Sequence, residues 1–208
     1  MVLSYREALN QAMREEMRRD SRIFLIGEEV GYYQGAFKVS KGFVEEFGPQ
    51  RVVDTPITEA GFTGLAVGAA MAGLHPIVEL MTMNFGILAL DQIVNNAAKW
   101  RYMCCGTLRV PFTIRAVIGR GWGQAAQHSQ SLQALFAHVP GLAVIMPATP
   151  ADAKGLLMTA LSMDSPVICL EHRWLYEKSG PVPEDPYYIP LGQAGLVRVG
   201  LSERHLRE

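Results

Sequence analysis

The chain has 208 residues, of which 49% are apolar and 19% are charged, and its 19 basic and 20 acidic side chains give a formal net charge of −1. This composition is typical of a globular protein with a sizeable core and excludes a disordered or fibrous chain. A nearly neutral chain lacks the long-range attraction that a nucleic-acid-binding or membrane-surface protein needs, so we expect neither partner.

The amino-terminal residues 1–20 are charged throughout and lack the apolar segment of a secretion signal. The longest apolar stretch, residues 65–74, is well short of the about 20 residues that cross a bilayer. We therefore expect a soluble, cytoplasmic protein. The cysteines number 3, and two of them, Cys104 and Cys105, are adjacent, which fits neither a disulfide framework nor a CxxC metal site, so we expect them to be reduced.

Strand and helix patterns alternate along most of the chain. Ser4 and Glu7 have the spacing of a capping box, and the apolar residues after Ser4 follow a helical period, which predicts a helix over residues 4–19. Continuous apolar runs predict buried strands at 22–26, 51–53, 76–80, 112–118, 142–146 and 167–170. Helical patterns lie at 39–47, 59–73, 85–104, 129–138 and 150–163, the last capped by Thr149. This alternation predicts an α/β fold, a parallel sheet with helices on both faces.

The composition changes at residue 179. The prolines at 181, 183, 186 and 190 fall within a short stretch, which predicts an extended connector. Residues 191–200 have the pattern of one further strand. We therefore predict a domain over residues 1–178, followed over 179–208 by a Pro-rich linker and the truncated start of a second domain.

Polar side chains that follow strands are the first candidates for a site, because ligands of parallel sheets bind at the carboxyl ends of the strands. Glu28 and Glu29 follow a predicted strand and could serve acid–base chemistry. Adjacent acids in a polar loop are more often solvated or bonded to backbone amides, and we favour that interpretation. His128 lies after a Gly-rich turn and could exchange a proton near neutral pH, although a lone histidine is more often structural.

Glu59 has two interpretations. It follows Thr58 in the first turn of a predicted helix, where the helix dipole favours a negative charge, so it could serve helix stability alone. Because apolar Ile57 and Phe62 flank it, it could instead be a buried proton donor to a heterocyclic ring nitrogen. The local pattern leaves both interpretations open.

Residues 121–126, Gly-Trp-Gly-Gln-Ala-Ala, match the relaxed G-x-G-x-x-A dinucleotide fingerprint. The strand predicted after it ends at Pro147 without the acid that would hold a ribose, so nucleotide binding is a minor alternative. The sequence contains no phosphate loop, no G-x-S-x-G nucleophile turn, no His/Cys cluster at zinc spacing and no Gly-Asp-Gly.

Four long segments resemble one family. They are DTPITEAGFTGLAVGAAMAGLHPIVELMTMNF, LDQIVNNAAKWRYM, AAQHSQSLQALFAHVPGLAVIMPATPADAKGLL and PVICLEHRWLY. Over residues 4 to about 195 the chain resembles the beta subunit of the thiamin-diphosphate-dependent dehydrogenase component of 2-oxo acid dehydrogenase complexes, of the pyruvate, branched-chain or acetoin type. The resemblance implies the pyrimidine-binding domain of the transketolase-like fold.

The resemblance implies roles for individual residues. Glu59 is similar to the glutamate that hydrogen-bonds the cofactor's aminopyrimidine ring, and Phe85 to the aromatic wall of that ring, with Ile57 and Met81 beside it. His128 is similar to the active-site histidine near the substrate. A structural potassium site of some relatives aligns with carbonyls around Phe112, Ala160, Met163 and Ser165.

The resemblance also implies partners. The family's alpha subunit holds the diphosphate and the magnesium ion through a Gly-Asp-Gly motif, so this chain is expected to carry half of each active site in a homo- or hetero-oligomer. Together, the subunits would decarboxylate a small 2-oxo acid, or cleave acetoin, and pass the acyl group to lipoamide on an acyltransferase core. The alternative is a truncated, non-catalytic assembly protein, because the family continues beyond residue 208.

Two positions depart from the family pattern. Cys105 stands where relatives commonly have glycine, which puts the local turn in doubt. Leu88 stands where many pyruvate-type members have glutamine, which puts a hydrogen bond at the cofactor edge in doubt.

Overall fold

The computed structural model describes residues 1–120 and 123–193. The strands are β1 Val2–Ser4, β2 Ile23–Gly27, β3 Val52–Asp54, β4 His75–Leu80, β5 Thr113–Ile118, β6 Ala143–Ile145, β7 Val167–His172 and β8 Ser179–Pro181. The α-helices are α1 Tyr5–Arg19, α2 Phe43–Phe47, α3 Glu59–Met71, α4 Trp100–Met103, α5 Gln133–Ala137 and α6 Pro150–Ser162. Short 3₁₀-helices cover Met83–Ile87, Ala126–His128 and Arg173–Leu175, and a π-helix covers Gln92–Ala97.

The central sheet confirms the predicted α/β fold. Six parallel strands lie in the order β3-β2-β4-β5-β7-β6. Ile77 and Val78 are neighbours on β4 but belong to separate core clusters, one shared with α1 and α6 and the other with α3. The sheet is therefore covered on both faces. Within the described residues, no helix is long and apolar enough to span a membrane.

Local capping signals begin the two helices that cover one face. Glu7 and Ser4 exchange side-chain and backbone hydrogen bonds at the start of α1. Thr149 and Asp152 do the same at the start of α6. Each capping box satisfies two backbone donors that a helix end would otherwise leave unpaired, and both helices begin within one residue of their predicted starts.

The single helix predicted over 85–104 is wrong. This segment is divided into the 3₁₀-helix Met83–Ile87, the π-helix Gln92–Ala97 and the short helix α4. The Asp91 carboxylate accepts a hydrogen bond from the Asn95 side chain at 2.8 Å. Side chains that bond locally in this way compete with the regular backbone ladder, which explains why a helical apolar pattern did not produce one α-helix.

Two other predicted helices are shorter than expected. The pattern over 39–47 forms a helix only from Phe43, because Gly42 before it has a left-handed φ of 80°. The pattern over 129–138 forms a helix only over Gln133–Ala137. Cys105 has a positive φ of 51°, so the turn after α4 has a backbone conformation that favours glycine. None of the cysteines at 104, 105 and 169 forms a disulfide.

A second, two-stranded sheet was not predicted. β1 pairs antiparallel with β8, which places Leu3 opposite Gly180. Residues 179–189, here called the strap, continue from this pairing across α1 and α6. An added Cβ at Gly155 of α6 would lie 2.5 Å from the Tyr187 ring, so the strap packs directly on the helix backbone. The predicted domain division at residue 178 stays a prediction, and most of the candidate strand 191–200 lies outside the described residues.

A buried lysine anchors the strap. The Lys154 side chain has no exposed surface, and its Nζ lies 3.0 Å from Glu15 Oε1. The same Nζ donates to the strap carbonyls of Glu184 at 3.2 Å and Pro183 at 3.4 Å. The ammonium group therefore replaces lost water contacts with protein oxygens.

A second buried charge cluster lies within the sheet. Arg115 on β5 donates to Glu171 on β7 through Nε at 2.7 Å and Nη2 at 2.8 Å, and to Glu79 on β4 through Nη1 at 2.6 Å. Tyr176 donates to Glu171 at 2.6 Å, and burial raises the pKa of that phenol well above its usual value. Arg115 is almost fully buried, so these partners take the place of water around its guanidinium group.

His75 at the start of β4 predicts a pH dependence of stability. The residue is buried and its Nε2 has no partner among the described residues. Burial lowers the pKa of His75 from 6.5 to about 4, so between these values the unfolded chain binds a proton that the folded chain does not. The free energy of unfolding is therefore expected to fall by about 2 kcal/mol between pH 7 and pH 5 through this group.

Urea unfolding at a series of pH values tests this expectation. His75→Gln is the matched variant, because it keeps a polar side chain and removes the titration. Asp20 interacts electrostatically with His75, but hydrogen bonds from Arg22 lower the pKa of Asp20 to about 2, below the measured window. Equal pH slopes for the wild-type chain and His75→Gln would show that His75 does not contribute.

Candidate active site

Four parallel strands end at one edge of the sheet and bring the candidate residues to it. Glu28 follows β2 directly, and Glu59 lies in the helix that follows β3. Phe85 lies in the 3₁₀-helix after β4, and His128 in the 3₁₀-helix after β5. Because β3, β2, β4 and β5 are consecutive neighbours, these side chains share the carboxyl edge, where ligands of such sheets bind.

Glu59 is buried without a partner. It is the first residue of α3 and 6% exposed, and its carboxylate forms no hydrogen bond or ion pair with any described residue. Thr58 makes no side-chain capping bond to the helix. The structure therefore places an acidic residue without a protein partner at the carboxyl edge of the sheet.

Glu28 is a further candidate for the site that the sequence interpretation did not favour. We expected Glu28 and Glu29 to be solvated or bonded to backbone amides, which is wrong for Glu28, since it is 6% exposed and its Oε1 is buried with no partner among the described residues. Burial, and then the negative charge of Glu59, raise the pKa of Glu28. Glu29 is exposed, as expected. The sequence feature that could have identified Glu28 is its position directly after a strand buried on both faces.

Phe85 and His128 are in contact. Their ring centroids lie 5.3 Å apart at an interplanar angle of 89°, an edge-to-face arrangement. Both side chains are partly exposed, so neither is a plain core residue. Met81, just after β4, is also partly exposed, whereas Ile57 is 82% exposed.

Asn84, next to Phe85, was not singled out from the sequence. It is buried, and neither its Nδ2 nor its Oδ1 has a partner among the described residues. An unpaired buried amide is costly, and such groups concentrate where a structure serves a purpose besides stability. No local pattern distinguishes this asparagine from a surface one.

The residues aligned with a potassium site lie at the opposite edge of the sheet. The Phe112 carbonyl accepts from the Val167 backbone at 2.9 Å, and the Ala160 carbonyl accepts from the Met163 backbone at 3.2 Å. The Ser165 hydroxyl accepts from Arg101 at 2.6 Å. These oxygens are already hydrogen-bonded within the protein, and the potassium interpretation stays a prediction. The described residues contain no cluster of three His, Cys, Asp or Glu side chains able to hold a metal.

The described residues lack the helix that the dinucleotide alternative requires. Gly121 and Trp122 of the fingerprint lie outside the described residues. In the described part, the fingerprint is followed by a 3₁₀-helix, and α5 begins only at Gln133. A diphosphate binds such a motif at the amino terminus of an α-helix that begins within it, and none begins over residues 123–132.

Known proteins with sequences similar to this chain include beta subunits of pyruvate dehydrogenase E1 components. Pyruvate dehydrogenase E1 component subunit beta of Rickettsia felis is 54% identical over 202 residues, which cover 97% of this chain and 62% of that subunit. The mitochondrial E1 subunit beta of Caenorhabditis elegans is 52% identical over 203 residues, covering 96% of this chain and 58% of that protein. The chain therefore spans about 60% of the length of these curated relatives.

Solved structures show the same fold. A split gene transketolase, described as an inactive beta4 tetramer, superimposes with a TM-score of 0.64 at 21% identity over 82% of this chain and 51% of that chain. The transketolase from Leishmania mexicana gives a TM-score of 0.64 at 16% identity, over 81% of this chain and 25% of that chain. Residues 2–178 match the family described as the transketolase pyrimidine binding domain. With the parallel sheet and the acidic and aromatic residues at its carboxyl edge, this match establishes that the chain belongs to the family of transketolase pyrimidine binding domains.

Proposed function

We propose that this chain is the beta-type subunit of a thiamin-diphosphate-dependent 2-oxo acid dehydrogenase component, which acts on pyruvate or a similar small 2-oxo acid. With an alpha subunit it would decarboxylate the substrate and pass the acyl group to lipoamide on an acyltransferase core. The observation that carries this proposal is the buried, unpartnered Glu59 at the carboxyl edge. The names of the curated relatives support it.

The residues at this edge fit an aminopyrimidine ring. Glu59 offers a carboxyl group that no described residue satisfies, and Phe85 offers a partly exposed aromatic ring in the 3₁₀-helix after strand β4. Ile57 and Met81 are the other residues we assign to the pocket. Thiamin diphosphate, when bound, supplies the electron sink for decarboxylation, while the protein supplies binding and proton control.

Each residue then has a defined task. Glu59 holds a proton toward the ring nitrogen, and Phe85 covers the ring face. Burial and the charge of Glu59 raise the pKa of Glu28, which eases the repulsion between these two carboxyl groups. His128, oriented by its contact with Phe85, can exchange a proton with the substrate.

The surface around the site supports a partner subunit. Ile57, Leu65, Ile87 and Leu88 are exposed apolar side chains on α3 and on the loops at the carboxyl edge. Exposed apolar side chains are typical of a surface that another protein covers. We assign it to the alpha subunit, which would also hold the diphosphate and its magnesium ion. Leu88 can contribute only apolar contact there, in place of the glutamine of many pyruvate-type members.

Glu59→Gln tests the mechanism. The chain is purified with the alpha subunit of a pyruvate dehydrogenase E1 component, supplied with thiamin diphosphate and magnesium, and release of CO₂ from pyruvate is followed. Glu59→Gln keeps the shape of the side chain but cannot hold the proton, so kcat should fall at least about 100-fold. Glu45→Gln is the matched control, because Glu45 is exposed on α2 and should leave kcat unchanged.

The possible outcomes separate the alternatives. Full activity of Glu59→Gln would refute the assigned role of Glu59. If the wild-type chain binds the alpha subunit but releases no CO₂, the assembly-protein alternative is favoured. Sedimentation of each mixture shows whether the subunits associate and so distinguishes lost chemistry from lost assembly.

A further inference from the structure

A cavity of about 850 Å³ lies beside the site just described, and none of Glu59, Phe85 and His128 lines it. Its walls include Gln124, Ala125 and Ala126, just before His128, and Arg173 and Trp174 in the turn after β7. This volume is within the range of small-molecule sites in proteins. The cavity is therefore large enough for a ligand of its own.

Two guanidinium groups of this cavity lack anionic partners. Neither Arg120 nor Arg173 forms an ion pair with a carboxylate in the described part of the chain. Arg173 donates to Gln124 at 2.7 Å, but its Nε is buried without a partner among the described residues. The one carboxylate on the wall, Glu177, is already paired with Arg6, which lies outside the lining.

Aromatic rings hold both guanidinium groups in place. Arg120 lies 5.5 Å from the centroid of the Trp174 ring, and Arg173 lies 5.4 Å from that of Phe37. The Trp174 indole also donates to the Arg120 carbonyl at 3.1 Å, which ties the two walls together. Guanidinium groups oriented in this way lose less entropy when they bind an anion.

The other wall residues select the body of the ligand. Trp174 is exposed, and with Ala125 and Ala126 it forms an apolar surface beside the two positive charges. A guanidinium group matches the paired oxygens of a carboxylate or a phosphate. We infer that this cavity binds an organic anion, with its charged oxygens between Arg120 and Arg173 and a flat apolar body against Trp174. This inference goes beyond the proposed function, because it requires neither an alpha subunit nor a cofactor.

Titration of the full chain with three small probes tests this site. Phenylacetate and phenyl phosphate carry the same flat body with different anionic groups, and benzyl alcohol carries no charge. At least one anion is expected to bind with a Kd of about 1 mM or tighter by calorimetry, and benzyl alcohol at least about tenfold more weakly. The preferred anion distinguishes a carboxylate ligand from a phosphate ligand. Raising the salt concentration should weaken only the binding of the anions.

Arginine variants identify the site. Arg120→Gln, and the double change with Arg173→Gln, should weaken anion binding by about threefold and at least about tenfold respectively. Arg101→Gln is the matched control, since Arg101 is exposed, pairs with Ser165 rather than with a carboxylate, and lines a different cavity. Thermal melts verify folding, and Arg120→Gln alone is a sufficient test if the double variant does not fold. The inference is overturned if neither anion binds at 10 mM, or if the folded Arg120 variants bind as the wild type does.

Discussion

Arg115→Met is expected to lower the free energy of unfolding by about 3–5 kcal/mol. The arginine is the one cation that contacts the buried carboxylates of Glu79 and Glu171 in the described chain, with N–O distances of 2.6–2.8 Å. Removing it leaves two carboxylates without a cation, in a part of the sheet where water cannot reach them. Urea unfolding followed by circular dichroism measures the loss as a lower midpoint.

An exposed ion pair provides the comparison. Arg109 pairs with Asp164 at 2.6 Å, but both side chains are largely solvated, so Arg109→Met should cost no more than about 1 kcal/mol. Adding Glu79→Gln and Glu171→Gln to Arg115→Met should restore part of the lost stability, because neutral amides do not repel each other. If Arg115→Met costs as little as Arg109→Met, burial of this cluster does not control stability.

Lys154→Met is expected to cost about 3 kcal/mol and to release the strap, residues 179–189. The change removes the donor to the strap carbonyls and the partner of Glu15, while the methionine fills a similar volume. Limited digestion with a glutamate-specific protease should then cut at Glu184 much faster than in the wild type. A urea titration gives the accompanying loss of stability.

The control for this variant is Lys41→Met, which removes an exposed lysine instead of a buried one. Lys41 is exposed, and its side chain forms no hydrogen bond with a described residue. Lys41→Met should leave both the unfolding midpoint and the cleavage rate unchanged. Unchanged cleavage of Lys154→Met would mean that the pairing of β1 with β8 holds the strap without the lysine.

Local sequence patterns determined the parts of this protein that depend on neighbouring residues. The alternation of apolar strands with helical periods predicted the parallel sheet, and the Ser4 and Thr149 caps predicted where α1 and α6 begin. The resemblance to known beta subunits also singled out Glu59, Phe85 and His128, which the structure places at one edge. These features depend on periodicity, capping chemistry and long motifs, all of which are visible along a single chain.

The tertiary structure alone decided which distant groups meet. Arg115 contacts carboxylates 36 and 56 residues away, and the strap carbonyls lie about 30 residues from Lys154. Glu28 became a buried acid rather than a solvated one only because the loops after β2 and β3 bring it near Glu59. Burial and charge pairing depend on strand order and register, and these arise when the whole core packs, so no local pattern encodes them.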